Sequence, residues 1–396
     1  MPPKHNAQWA FVQGATGDRG AGYAVTGMGC TVAWCFAGGY KGRGGDFISS
    51  RRESGPDGDT QAVIWTVANR ARPILQEQTL PGARQSISAI GCASQGYCVA
   101  LGQRRSGGIS EVVSWTFDGH RWSKSPQLVP APAPPGAAPF IRSVSCPRAG
   151  VCTAVGGISV PASPRAPSET TFPLVEQLRN GRWGPLANPP GVSGSTLELV
   201  ICSSSPSCFL AGWALSQPPG GDGFANGGGY EGSISGSGWV VSNAGDPSGW
   251  WGGACTDPQQ CLTVGARYDE NMNQQAELRW RGNGQEFSKS IANEFTGGIL
   301  SASTCLRPHF CIVVGNSYER VGKPAMQLRP LAYGISVDHP TEPVSLLAPA
   351  MPRGALTAVA CFDARRCLLG GMSQATTASL TGPSKPMFLI GNPQKS

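Results

Sequence analysis

The sequence predicts an all-β fold, a closed seven-bladed β-propeller of four-stranded antiparallel blades, and three observations predict it. Its 14 cysteines fall into seven local pairs, and the first cysteines of successive pairs lie 62, 54, 56, 53, 50 and 56 residues apart, a period found in propeller blades and solenoid repeats. Each period carries four short strand-like runs. The chain ends are complementary, with one spare run at the start and one missing at the end.

The unit is clearest at Ser143 to Gly156, SVSCPRAGVCTAVG, two apolar runs that each carry a cysteine and are joined by a turn. The pairs are Cys30 and Cys35, Cys92 and Cys98, Cys146 and Cys152, Cys202 and Cys208, Cys255 and Cys261, Cys305 and Cys311, and Cys361 and Cys367. Two cysteines flanking a short turn between antiparallel strands fall within disulfide distance. A zinc site needs four ligands at one point, and seven pairs spread around a ring cannot converge. One hairpin disulfide per blade follows, each restricting the unfolded chain by about 2 kcal/mol on the loop-entropy model.

Within each unit, strand A ends at the first cysteine and strand B starts near the second, running to a glycine as in CTAVG, CLTVG and CIVVG. A variable loop leads to strand C, such as Val112 to Phe117 or Pro173 to Leu178. A tight turn, Asp118-Gly119 or Asn180-Gly181, leads to strand D; such dipeptides between alternating runs are strong hairpin signals. Trp9, Trp122, Trp183 and Trp239 open fourth strands, while Trp65, Trp115 and Trp280 lie in third strands, all expected to pack between blades. The first pair has four intervening residues, implying a tighter turn at Thr31 to Trp34, and its strand D begins at Pro73-Ile74-Leu75. The sixth unit is irregular from Arg329 to Leu347.

After Cys367 the chain offers strand B and one further run at Pro386 to Ile390, so the last unit lacks a fourth strand. Residues 8–13, which include Gln8-Trp9-Ala10-Phe11-Val12, supply it and close the ring. The 396 residues then form one domain.

The 55 Gly and 34 Pro, with 14% charged residues and no long helical periodicity, agree with short strands and turns. A net charge of +7 is carried by scattered Lys and Arg, which argues against nucleic acid as a partner. No apolar run is long enough to span a membrane, so membrane insertion is not expected. Regular cysteine pairs point to an oxidising, extracellular setting, although MPPKHNAQWAF lacks an apolar signal core, as a mature form or a start assigned too late would.

With CPRAGVCTAVGG, LVEQLRNGRW and SWTFDGHRW in view, the chain resembles the cysteine-paired repeat family of secreted bacterial β-propellers. It is more loosely similar to sialidase-type propellers, whose Asp-box is approached by Asp118-Gly119-His120-Arg121-Trp122. The resemblance implies a fold and a secreted setting and no particular reaction.

In an up-and-down blade the B–C and D–A connections emerge on one face and the A–B and C–D turns on the other. The long variable segments are of the first kind, so one face is disulfide-stapled and the other carries diversity, where binding usually lives. On that variable face the sequence places Tyr40, Arg104, Arg105, Trp213, Tyr230, Trp250, Trp251, Arg267, Tyr268, Tyr318 and Arg320 as ligand-binding candidates, with the three tryptophans in or beside connections. Aromatic rings beside polar groups suit sugars and also protein partners. Ser216 to Tyr230 reads as a flap.

Arg267-Tyr268-Asp269-Glu270 and Tyr318-Glu319-Arg320 supply residue types of a sialidase-like site, but such clusters are commonly solvated charges, and no catalytic residue is assigned. His5, His120, His309 and His339 are dispersed. Asp57-Gly58-Asp59 reads as a polar turn before a calcium site, so no metal or cofactor is expected. The reading is a secreted, monomeric, non-catalytic module that binds a glycan or a cell-surface or secreted protein; the alternatives are a glycan-cleaving hydrolase or lyase of sialidase-like type, and a protein-docking scaffold.

Overall fold

The computed structural model describes residues 9–12, 22–42, 60–93, 96–106, 109–125, 128, 136–161, 170–186, 194–202, 207–214, 228–235, 238–243, 248–257, 260–268, 274–282, 285–291, 297–306, 310–320, 326–336, 339, 342–347, 351–374 and 384–393. Every regular element among them is a strand. Among the described residues no helix is long and apolar enough to cross a membrane.

The strands form seven antiparallel sheets of four. The chain opens with β1 (Trp9–Phe11), which belongs to the last sheet. Blade 1 is β2 (Gly22–Cys30), β3 (Trp34–Gly42), β4 (Gln61–Ala68) and β5 (Leu75–Thr79). Blade 2 is β6 (Gln85–Ala93), β7 (Tyr97–Ser106), β8 (Ile109–Phe117) and β9 (Trp122–Lys124). Blade 3 is β10 (Ala138–Arg148), β11 (Val151–Val160), β12 (Thr170–Arg179) and β13 (Arg182–Pro185). Blade 4 is β14 (Ser195–Cys202), β15 (Cys208–Ala214), β16 (Gly228–Ser235) and β17 (Gly238–Asn243). Blade 5 is β18 (Ser248–Asp257), β19 (Gln260–Tyr268), β20 (Gln274–Gly282) and β21 (Gln285–Ser290). Blade 6 is β22 (Gly297–Leu306), β23 (Phe310–Arg320), β24 (Met326–Ser336) and β25 (Val344–Ser345). Blade 7 is β26 (Gly354–Asp363), β27 (Arg366–Gln374), β28 (Ser384–Gly391) and β1.

The ring closes as the chain ends predict. Trp9, Ala10 and Phe11 pair with Gly391, Ile390 and Leu389, and the Val12 amide donates to the Phe388 carbonyl at 3.0 Å. The first strand of each blade packs against the first strands of both neighbours, in the cycle β2, β6, β10, β14, β18, β22, β26 and back to β2. These seven strands surround the axial channel of a propeller.

All seven predicted disulfides are formed, with Cα atoms 3.9–4.1 Å apart. Seven such bonds suit an oxidising environment. The shortened first hairpin turns as expected, the Thr31 amide donating to the Trp34 carbonyl at 2.7 Å. At the DG turn the Asp118 carboxylate accepts from the amides of His120 and Arg121, at 2.9 and 3.0 Å. Those bonds, that to Arg121 first, hold its pKa below the usual carboxylate value. Asn180 and Gly181 both take positive φ, 52° and 74°, the geometry of a tight hairpin turn.

Two sequence signals find their cause at the inner strand. Each A strand carries a β-bulge at one equivalent residue: Thr26, Ser88, Arg142, Glu198, Trp251, Ser301 or Thr357. The bulge adds one unpaired residue and bends the strand. Opposite the residue before it stands a strand-B glycine, the G of the VG signal at Gly156, Gly265 and Gly315 and its equivalent at Gly39, Gly102, Gly212 and Gly371. At all seven, a Cβ would collide with a carbonyl oxygen of the A strand, such as that of Phe140 for Gly156. The SVSC serines act between blades: the Val200 and Cys202 amides donate to the Ser143 and Ser145 hydroxyls, at 3.2 and 3.0 Å.

The third-strand tryptophans pack between blades as expected, Trp65 and Trp115 on the preceding blade and Trp280, one residue out of step, with Leu300 and Val313 of the following blade; Arg279 occupies the position that pairing gives to Trp65. Two placements differ from the sequence reading. The segment read as a flap to Tyr230 ends earlier, because β16 starts at Gly228. Trp213, Trp250 and Trp251 lie within strands and not in connections.

Candidate functional site

The bulge residue always lies four residues before the first cysteine of its blade. The residue before it is buried in every blade, as Val25, Ile87, Ile141, Leu197, Trp250, Leu300 and Leu356. The bulge side chain itself is half-buried in every blade but the sixth, and the seven form a belt around the innermost strands.

Four members of the belt are small hydroxyls. Two of them tie blades together: Thr26 donates to the Ile87 carbonyl of blade 2, and Thr357 donates to the Val25 carbonyl of blade 1 at 2.6 Å. Three consecutive blades depart from this pattern. Blades 3, 4 and 5 present Arg142, Glu198 and Trp251, a cation, a carboxylate and an indole.

Arg142 and Glu198 form an ion pair with Nε and Oε2 3.5 Å apart, their side chains 17% and 14% exposed. The Arg142 guanidinium lies over the Phe140 ring, 4.7 Å from its centroid, and Thr196 Oγ1 donates to Glu198 Oε1 at 3.0 Å. In blade 5 the Trp251 ring lies against Gly249. A Cβ on Gly249 would stand 3.3 Å from Trp251 Cζ2 and 3.8 Å from Trp213 Cδ1, so one glycine brings the two indoles together. Both are half-buried. Half-buried indoles of this kind are able to stack on the apolar C–H faces of sugars, and the bulge next to that of Trp251 carries Glu198, paired with Arg142.

Of the sequence candidates, Trp213 and Trp251 converge here, and Arg267, exposed at the end of β19, pairs with Ser248 beside Gly249. Trp250 is corrected. It is 0% exposed and fills the apolar position before the bulge, with the Arg279 guanidinium 5.9 Å from its ring. Tyr40 is also buried, packed with Ala24 and Met372. Arg104 pairs with Glu111 across β7 and β8, and the Arg105 amide donates to the Arg84 carbonyl at 3.0 Å. Tyr318 is half-buried at the end of β23 opposite Gly297, in blade 6.

Tyr230, Tyr268 and Arg320 pair through their backbones with Gly212, Gln274 and Met326; their side chains, and that of Glu319, lie outside the description. Asp57-Gly58-Asp59, Asp269, Glu270, His5 and His309 lie outside the described residues. Among the described residues no group of three His, Cys, Asp or Glu could hold a metal ion.

Sequence reasoning missed Arg142 and Glu198, which lie inside strands among apolar neighbours. It also missed Glu176, in β12. Its side chain is 0% exposed, neither carboxylate oxygen has a hydrogen-bond partner among the described residues, and burial raises its pKa to about 7. Pairing places Glu176 where Trp65 and Trp115 stand in blades 1 and 2.

No family model and no curated protein sequence matches the chain. Solved structures match in fold. A polysaccharide lyase is 8% identical with a TM-score of 0.53, covering 98% of this chain and 93% of its own. The β-propeller domain of the Trilobed protease from Pyrococcus furiosus is 9% identical with a TM-score of 0.50, covering 93% of this chain and 95% of its own. That domain has an open velcro topology, whereas here β1 closes the ring on β28. The chain is thus a seven-bladed propeller with one disulfide per blade.

Proposed function

We propose that the chain is a secreted, non-catalytic propeller, acting as a monomer, that binds a glycan where Trp213 and Trp251 meet at the axial belt of blades 4 and 5. The convergence of these two half-buried indoles on Gly249 carries the reading. Two aromatic faces gathered beside a belt whose other members are four small hydroxyls and the Arg142–Glu198 pair suit the apolar faces of sugar rings. The test is titration of intrinsic tryptophan fluorescence with a panel of oligosaccharides. Saturable change that disappears in Trp251→Ala and Trp213→Ala supports the reading, and no saturable change with any glycan contradicts it.

Glycan cleavage is a second reading, favoured by the fold shared with a polysaccharide lyase over nearly the whole chain and by Tyr318 and Arg267 at the variable-face strand ends. Release of reducing ends or unsaturated products from a bound glycan, lost in Tyr318→Phe, would establish it. A protein-docking role would show as a stoichiometric partner that competes with no sugar.

A further inference from the structure

Glu198 occupies the bulge next to that of Trp251, and Arg142 the one beyond it, in a belt where the four other blades carry only Ser or Thr. Both side chains are largely covered, at 17% and 14% exposure, and each is held from a second side. Phe140 lies under the guanidinium, and Thr196 donates to Glu198 Oε1. The pair is therefore fixed in place beside the aromatic half of the site.

We infer that this ion pair is the polar half of the sugar site and restricts it to uncharged sugar rings. The inference rests on the glycan reading above. A guanidinium offers only donors, and an ionised carboxylate offers only acceptors, with two oxygens that each carry more than one lone pair. A sugar diol can satisfy both, one hydroxyl accepting from Arg142 and its neighbour donating to Glu198. A uronate carboxylate has no proton to donate. It would meet the Glu198 carboxylate as a like charge, or would have to displace Glu198 from a largely desolvated pair, which leaves a charge without its partner.

The protein's overall charge points the other way. At +7 the chain as a whole attracts acidic polymers. Screening decides between the two: scattered surface charges act weakly beyond about 8 Å at physiological ionic strength, whereas the covered pair lies within the site and is screened little. The local neutral pair sets selectivity.

The experiment compares matched oligosaccharides, a neutral xylo-oligosaccharide and the same backbone carrying a glucuronate substituent, titrated calorimetrically into the native chain and into Glu198→Gln. The native chain is expected to bind the neutral ligand at least about tenfold more tightly. Glu198→Gln keeps the shape and the Thr196 contact but leaves Arg142 with its full charge, and is expected to reduce that ratio at least fivefold by gaining affinity for the glucuronate. A native chain that prefers the glucuronate, or a ratio unchanged in Glu198→Gln, overturns the inference. Binding of neither ligand, nor of any other oligosaccharide in the panel, overturns the glycan reading itself. Should Glu198→Gln not fold, the native preference alone decides.

Discussion

Thr357, at the bulge of the last blade, donates its hydroxyl to the Val25 carbonyl of the first, 2.6 Å away. The same seam is tied by Ser384, whose hydroxyl donates to the Tyr23 carbonyl at 2.6 Å and accepts from the Tyr23 amide at 3.0 Å. Ring closure thus rests on side chains as well as on the short β1–β28 pairing. Thr357→Val is expected to cost about 1 kcal/mol, and Ser384→Ala, which strands two buried backbone groups of Tyr23, about 1–3 kcal/mol. Denaturant unfolding checks both, and no loss in either variant would show that backbone pairing alone closes the ring.

Gly156 stands where a methyl group would run into the Phe140 carbonyl. Gly156→Ala is expected to cost about 3 kcal/mol or more, because backbone has to move to admit the Cβ. Gly184, with nothing within 4 Å of its Cβ position, provides the control: Gly184→Ala is expected to change stability by about 0.5 kcal/mol or less. Thermal denaturation of the two variants makes the comparison.

Glu176 gives the fold a pH dependence. Its pKa is raised by burial to about 7 from 4.5, so between these values the folded chain holds a proton that the unfolded chain has released. Stability from this group is therefore full below pH 4.5, falls as pH rises through that window and levels off above 7. Glu176→Leu, the residue at the equivalent position Leu389 of blade 7, is expected to abolish the decline and to raise stability at pH 8 by up to about 3 kcal/mol. Unfolding midpoints at pH 5 and pH 8 measure it; a native chain more stable at pH 8 would contradict the assignment.

Adjacent tryptophans are expected to behave oppositely. Trp250→Ala empties a fully buried position and should cost about 3–5 kcal/mol. Trp251→Ala removes a half-buried ring at the channel and should cost about 1 kcal/mol or less while abolishing sugar binding. Melting temperatures read beside binding isotherms separate the two.

The blades were legible in the sequence because their markers are chemical: paired cysteines, a glycine within the second strand and DG or NG in the outer hairpin all report backbone requirements that few residues meet. The closing strand was legible for the same reason, as a leftover run matching a missing one. The site was only half legible. A bulge accepts Thr, Ser, Arg, Glu or Trp alike, so no residue type announces it, and only its fixed offset of four from the first cysteine identifies Arg142, Glu198 and Trp251 as equivalent. Without that offset Trp250 and Trp251 read alike, as binding candidates in or beside connections, although the first occupies a core position filled by Val25 in blade 1. Glu176 was hidden because burial between blades, not sequence context, shifts its titration.

A glycan seated on blades 4 and 5 at Trp213 and Trp251 would shield both rings from solvent. Oxidative footprinting with mass-spectrometric readout, with and without saturating ligand, tests it most directly. Bound glycan is expected to lower labelling at Trp213 and Trp251 and to leave Tyr318 and Val240 unchanged. Protection at Tyr318 with Trp213 and Trp251 labelled as in the free chain would contradict it.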